Sequence, residues 1–177
     1  MEKSLKSIAI NYGLYLGIGL SLYTLIGYAI NLGLLVNYWA MLLILPLAIV
    51  IFGIVATAKI KAQFNGFLSF KEAFSSFFIT VSIGIIISTF VSIILFNFID
   101  PDAAIEIKNI LINNTEDLMR SMNAPVEAIA ESVNKIESQD TFALGTQLKS
   151  LAQSIIFFAI IGLLVAAAMK KSNPNAE

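Results

Sequence analysis

Three carboxylates, Asp100, Asp102 and Glu106, are the only acidic cluster in this sequence whose types and spacing suggest a cation site. Calcium takes six to eight oxygen ligands from a loop that wraps it around a central glycine, and no such loop surrounds these acids. Asp100 is followed by Pro101, a pairing that opens a helix: the carboxylate caps free amides and proline suits the first helical position. The expected work of the cluster is therefore to serve the positive end of a helix dipole, with no metal site. The 177 residues include no His and no Cys, so the commonest general base, the commonest metal ligand and every thiolate chemistry are missing. No catalytic residue, cofactor-binding residue or cofactor is expected, and the protein reads as not an enzyme.

A second group of polar residues lies inside apolar surroundings. Ser76, Thr80, Gly84, Ser88 and Ser92 recur every four residues, and so do Ala9, Gly13, Gly17 and Ser21. Gly162 and Ala166 add a shorter pair. Four-residue spacing puts each set on one helix face, where small side chains let helices approach closely in lipid. Such faces either pack the helices of one chain together, join two copies, or line a polar path. Asn11 and Asn97 are placed near span ends, where they reach water or cap backbone.

The elements that must hold these residues are membrane spans. Hydrophobic residues make up 58% of the chain and charged residues 13%, with a mean hydropathy of +0.84. A soluble domain carries about a quarter charged residues, so this chain has too little polar surface to cover a globule in water. Apolar runs over about 8–30, 38–58, 74–99 and 151–169 each reach the roughly 20 residues that cross a bilayer as a helix. With no water to bond the backbone, a helix is the open-ended way to satisfy it. Lys3 and Lys6 before the first run also suit a signal peptide, but the run is too long and lacks a small-residue cleavage site, so it reads as a retained helix. The expected fold is all-α: a four-helix transmembrane bundle in one domain, with a helical extracytoplasmic insertion between spans three and four. Pro46 is expected to kink the second span.

Seven of the eleven basic residues fall on one side of such a bundle, at both ends and in the 59–71 loop. The segment 100–150 on the other side carries four basic and nine acidic residues, a net −5. Positive-inside bias then places both termini in the cytoplasm. Tyr28, Tyr38 and Trp39 are expected at the outer headgroup level. Phe64, Phe67, Phe70 and Phe74, interleaved with lysines, suit an interfacial segment on the inner leaflet, with Gly66 permitting its turn.

Within 100–150, Ile107, Leu111, Leu118 and Met122 form one thin apolar stripe. Asn123 and Pro125 break the helix, and Val126, Ile129, Val133 and Ile136 form a second stripe. A two-helix hairpin above the membrane follows, folded on itself, on the bilayer surface or on a partner. Alone it would bury too little to offset the ordering of its backbone, about 1–2 kcal/mol per residue.

The segment Gly66-Phe67-Leu68-Ser69-Phe70-Lys71-Glu72-Ala73-Phe74, the exit Asp100-Pro101 from span three and the closing run Ile161-Gly162-Leu163-Leu164-Val165-Ala166-Ala167-Ala168-Met169-Lys170-Lys171 together resemble the DUF4199 family of small bacterial membrane proteins. The order of four spans, with a long acidic loop before the last, is similar along nearly the whole chain. The resemblance implies a protein of the bacterial inner (cytoplasmic) membrane and brings no catalytic or binding residues with it.

With a net charge of −1 there is no basic face for nucleic acid. The expected partners are the lipid bilayer and a protein or second copy, met through the 100–150 helices or the small-residue faces. The expected function is interaction or a structural role in the membrane. The alternative is a subunit of a transporter or channel, with the hydroxyls of span three lining its path.

Overall fold

A computed structural model describes residues 2–171, and every regular element among them is helical. Residue 1 and residues 172–177, the two ends expected in the cytoplasm, lie outside the described residues. The six helices are α1 (Glu2–Ile30), α2 (Leu45–Gln63), α3 (Phe70–Ile94), α4 (Pro101–Ser121), α5 (Val126–Ser138) and α6 (Leu144–Met169). Stretches long and apolar enough to cross a membrane cover Ser4–Ile30, Ala40–Gln63, Phe70–Ile99 and Leu144–Met169. Large apolar side chains such as Ile18, Leu22, Ile51, Ile156 and Leu164 face outward from these helices, as lipid contact requires.

Each span is longer than its apolar run predicts at one end or both, because the hydrogen-bond ladder continues until a cap ends it. At the α2–α3 connection this overturns the expected interfacial segment. Lys59 and Lys61 belong to α2, Phe70 and Phe74 to α3, and only residues 64–69 form the turn. Asn65 and Gly66 take left-handed conformations with φ of 54° and 80°, and the Gly66 amide closes the turn on the Lys61 carbonyl at 2.9 Å. Ser69 then starts α3 with a capping box, its hydroxyl and the Glu72 carboxylate exchanging bonds with each other's backbone amides.

Pro46 cannot donate to the ladder and crowds the preceding turn. The chain accommodates it with a π turn, Ala40–Ile44, where the Leu45 amide reaches the Ala40 carbonyl. A second π turn, Leu95–Ile99, ends the third span, with the Asp100 amide on the Leu95 carbonyl at 2.8 Å.

Helix α3 is the hub: it packs most extensively on α1, then on α6, then on α2. The small-residue stripes make this possible. A Cβ on Gly84 would stand 2.6 Å from Leu16 Cδ2, and one on Gly13 would stand 2.8 Å from Ile83 Cβ. The Thr80 hydroxyl donates across the same seam to the Ala9 carbonyl at 3.1 Å. Phe77, fully buried, wedges between Gly53 of α2 and Gly162 of α6, where a Cβ would meet its ring at 2.6 and 2.8 Å. Much of the small-residue faces, from Ala9 to Gly17 on α1 and from Ser76 to Gly84 on α3, is thus turned inward and used by the chain's own packing.

At the lysine-rich end α6 is fastened to the turn. Leu68 and Lys171 exchange backbone bonds of 2.9 and 2.8 Å, and Lys61 Nζ donates to the Met169 carbonyl at 2.6 Å. A cation on the last carbonyls of a helix complements its negative end.

Candidate functional site: the end capped by the hairpin

The opposite end of the bundle is closed by the hairpin of α4 and α5. Asp100 sets its position with both oxygens. Oδ1 accepts from the Ala103 amide at 3.0 Å as the helix cap, and Oδ2 accepts from the Tyr28 hydroxyl of α1 at 2.9 Å. Farther along, Thr115 gives its one hydrogen to the Leu111 carbonyl at 2.7 Å, so the Tyr38 hydroxyl, 2.8 Å away, donates to Thr115. Tyr28 and Tyr38 are therefore tethers between membrane helices and hairpin, and only Trp39 stands exposed as an interfacial ring should. Their rings suggest the headgroup level from sequence alone; their partners, more than 70 residues away, have no sequence signal.

Asp102 and Glu106 lie exposed in and after the first turn of α4. Among the described residues no group of three or more acids is placed to hold a metal ion. Asn97 is half-buried and donates to the Ile93 carbonyl at 3.1 Å, while Asn11 sits on an exposed face well inside α1.

The apolar stripe expected along α4 divides in two. Ile107 is buried with Ala103 against Val36, Leu95 and Phe96, and Leu111 packs beside them. Leu118 and Met122 are 42% and 67% exposed, and Val126 at the start of α5 is 71% exposed. What lies beneath explains the split. The second half of α4 is still anchored, by Thr115 to Tyr38 and by Asn114 to the Val36 carbonyl. Leu118, however, faces an open cleft shared with Trp39, Leu42 and Leu43 instead of a packed cluster. The second helix folds back on α4, burying Ile129, and Lys108 Nζ donates to the Glu137 carbonyl at 2.6 Å. The hairpin's neighbour is thus the membrane bundle itself.

Beneath the hairpin the bundle opens. Gly162, in the half of α6 nearer the lysine-rich end, lets that helix press against α3; in the half nearer the hairpin Gln147 is its one buried residue. Contacts of α6 with α2 are sparse, and with α1 fewer still. A cavity of about 430 Å³ results, walled by α1, α3 and α6 and roofed by Ile107, Leu111 and Phe142. Ser88, Thr89 and Ser92 line it, whereas Ser76 and Thr80, lower on the same face, are fully buried in helix packing. One stripe thus has two fates. Toward the lysine-rich end the cavity gives way to Leu16, Phe77, Val81, Ile85 and Phe158, which pack into a continuous core.

A family described as "Protein of unknown function (DUF4199)" matches residues 11–171. No curated protein and no solved structure matches the chain.

Proposed function

The chain belongs to the DUF4199 family, and from that premise we propose that it is a non-enzymatic, multi-pass membrane protein that acts by contact, through the exposed tip of its α4–α5 hairpin. The observation that carries this reading is the exposure of Leu118, Met122 and Val126 together at the tip of a hairpin whose root is tethered. Apolar side chains grouped on a rigid extramembrane element mark interaction sites. The absence of His and Cys from the sequence supports a role without catalysis.

A photocrosslinking residue at Met122 is expected to give one adduct of fixed mass in native membranes, lost when Leu118 is changed to Ser. The same probe at Ser138, at the far end of α5, should give none. A smear of adducts at both positions would remove the proposal. The transporter alternative draws on the hydroxyls of α3, but the continuous core from Leu16 to Phe158 stands against it. Solute flux through the purified protein in liposomes would restore it.

Orientation belongs to the same proposal: the hairpin faces out from a bacterial inner membrane, and the α2–α3 turn faces the cytoplasm. The lysine distribution supports it. A single cysteine at Glu127 should react with an impermeant maleimide applied to the outer face, and one at Lys59 should not. The reverse pattern would invert the topology.

A further inference from the structure

We infer that the cavity beneath the hairpin binds a single-chain amphiphile with a carboxylate head, such as a long-chain fatty acid. Its volume, about 430 Å³, falls in the range of small-molecule sites, about 300–1,000 Å³. That space admits one acyl chain with a small head, and a two-chain lipid would have to leave a chain outside.

Much of the wall is hydrocarbon, from Leu20, Leu45, Leu151 and Phe96 among others. The polar part is specific in kind. Lys108 stands at the rim and, among the described residues, is the only charged side chain lining the space, with no carboxylate beside it. An ammonium has three donors, and the bond to the Glu137 carbonyl uses one. Two remain for an anionic head, and a cationic ligand would meet only repulsion.

The hydroxyls point the same way. In an apolar helix a Ser or Thr ordinarily returns its hydrogen to the carbonyl four residues back. Thr24, Thr57 and Ser76 do so here. Ser88 and Ser92 on α3 and Ser154 on α6 line the cavity, and among the described residues their hydroxyls have no hydrogen-bond partner. Unpaired polar groups in an apolar enclosure are costly until a ligand or water meets them. A carboxylate at Lys108, with its chain running down between α3 and α6, fits both the charge and the shape. The inference does not depend on the hairpin tip.

Full-length protein in detergent micelles, titrated with palmitate and read by native mass spectrometry, tests it. One palmitate per chain should bind and saturate. Methyl palmitate, which keeps the chain and loses the charge, should bind at least about tenfold more weakly, as should palmitate to Lys108→Ala. Lys108→Arg should retain binding. Ser92→Leu and Ser154→Leu, which fill the cavity from opposite walls, should each abolish it with unchanged helicity. If one of the two fails to fold, the other decides. Adducts that accumulate without saturating, equal binding of methyl palmitate, preference for a lysophospholipid over palmitate, or binding that survives cavity filling would each overturn the inference.

Discussion

Replacing Gly84 by Leu should lower stability by about 3 kcal/mol, roughly a 10 °C fall in apparent Tm for a chain of this size. The added Cβ would stand 2.6 Å from Leu16 Cδ2 and Cγ, and 3.0 Å from Leu16 Cβ. The terminal methyls could swing aside, but Cβ moves only if α1 moves. Helix α1 is held along the whole seam, by Gly13 and Gly17 against Ile83 and Ile87 and by the Thr80–Ala9 bond. In lipid no hydrophobic gain compensates for separated helices, since the tails are as apolar as the side chains exposed to them. The damage therefore spreads along α1. Gly19→Leu is the matched control, because nothing lies within 4 Å of a Cβ there; it should change stability by less than about 0.5 kcal/mol. Ser88→Leu projects into the cavity and should also be mild, although it shares a helix face with Gly84. Thermal melts in detergent decide the matter, and a Gly19→Leu loss equal to that of Gly84→Leu would refute the seam.

Asp100→Ala should release the root of the hairpin. Two bonds go at once: the cap to the Ala103 amide and the acceptor for Tyr28. A helix cap contributes about 1 kcal/mol, and a hydrogen bond to a charged group about 1.5–3 kcal/mol. Their sum overstates the loss because water enters the joint, so about 2–3 kcal/mol is expected, confined to the hairpin end. Amide exchange over residues 103–112 should then speed up by about 30- to 100-fold, while Thr80 and Phe77 at the inner core keep their protection. Tyr28→Phe removes the bond to Asp100 alone and should produce the larger part of the effect. Asp100→Asn keeps a good cap and a neutral acceptor for Tyr28, so it should cost least of the three. Uniform acceleration across all six helices would mean that Asp100 holds the whole fold rather than the cap.

Four helices able to cross a membrane, the start of α4 and the turn at Gly66 were legible in the sequence, whereas the other helix ends shifted by several residues. The legible features are local. A backbone without water must bond itself, so twenty apolar residues fix a helix whatever lies beside it. Asp100-Pro101 starts α4 because cap and proline act on their own neighbours, and Gly66 turns the chain because of its own φ. The same logic placed small residues on one face of α1 and one face of α3.

What those faces meet depends on how the helices pack. Thr80 and Ser88 occupy the same face of one helix, two turns apart, yet one is sealed against α1 and the other opens on a cavity. Nothing in α3 distinguishes them; the neighbouring helices do, and that arrangement belongs to pairs of helices. Leu111 and Leu118 likewise meet different surroundings, one a packed cluster and the other an open cleft. Tyr28, Tyr38, Lys61 and Lys108 find partners 29 to 108 residues away. Such bonds carry no periodicity and no local propensity, because their geometry exists only after the helices have packed.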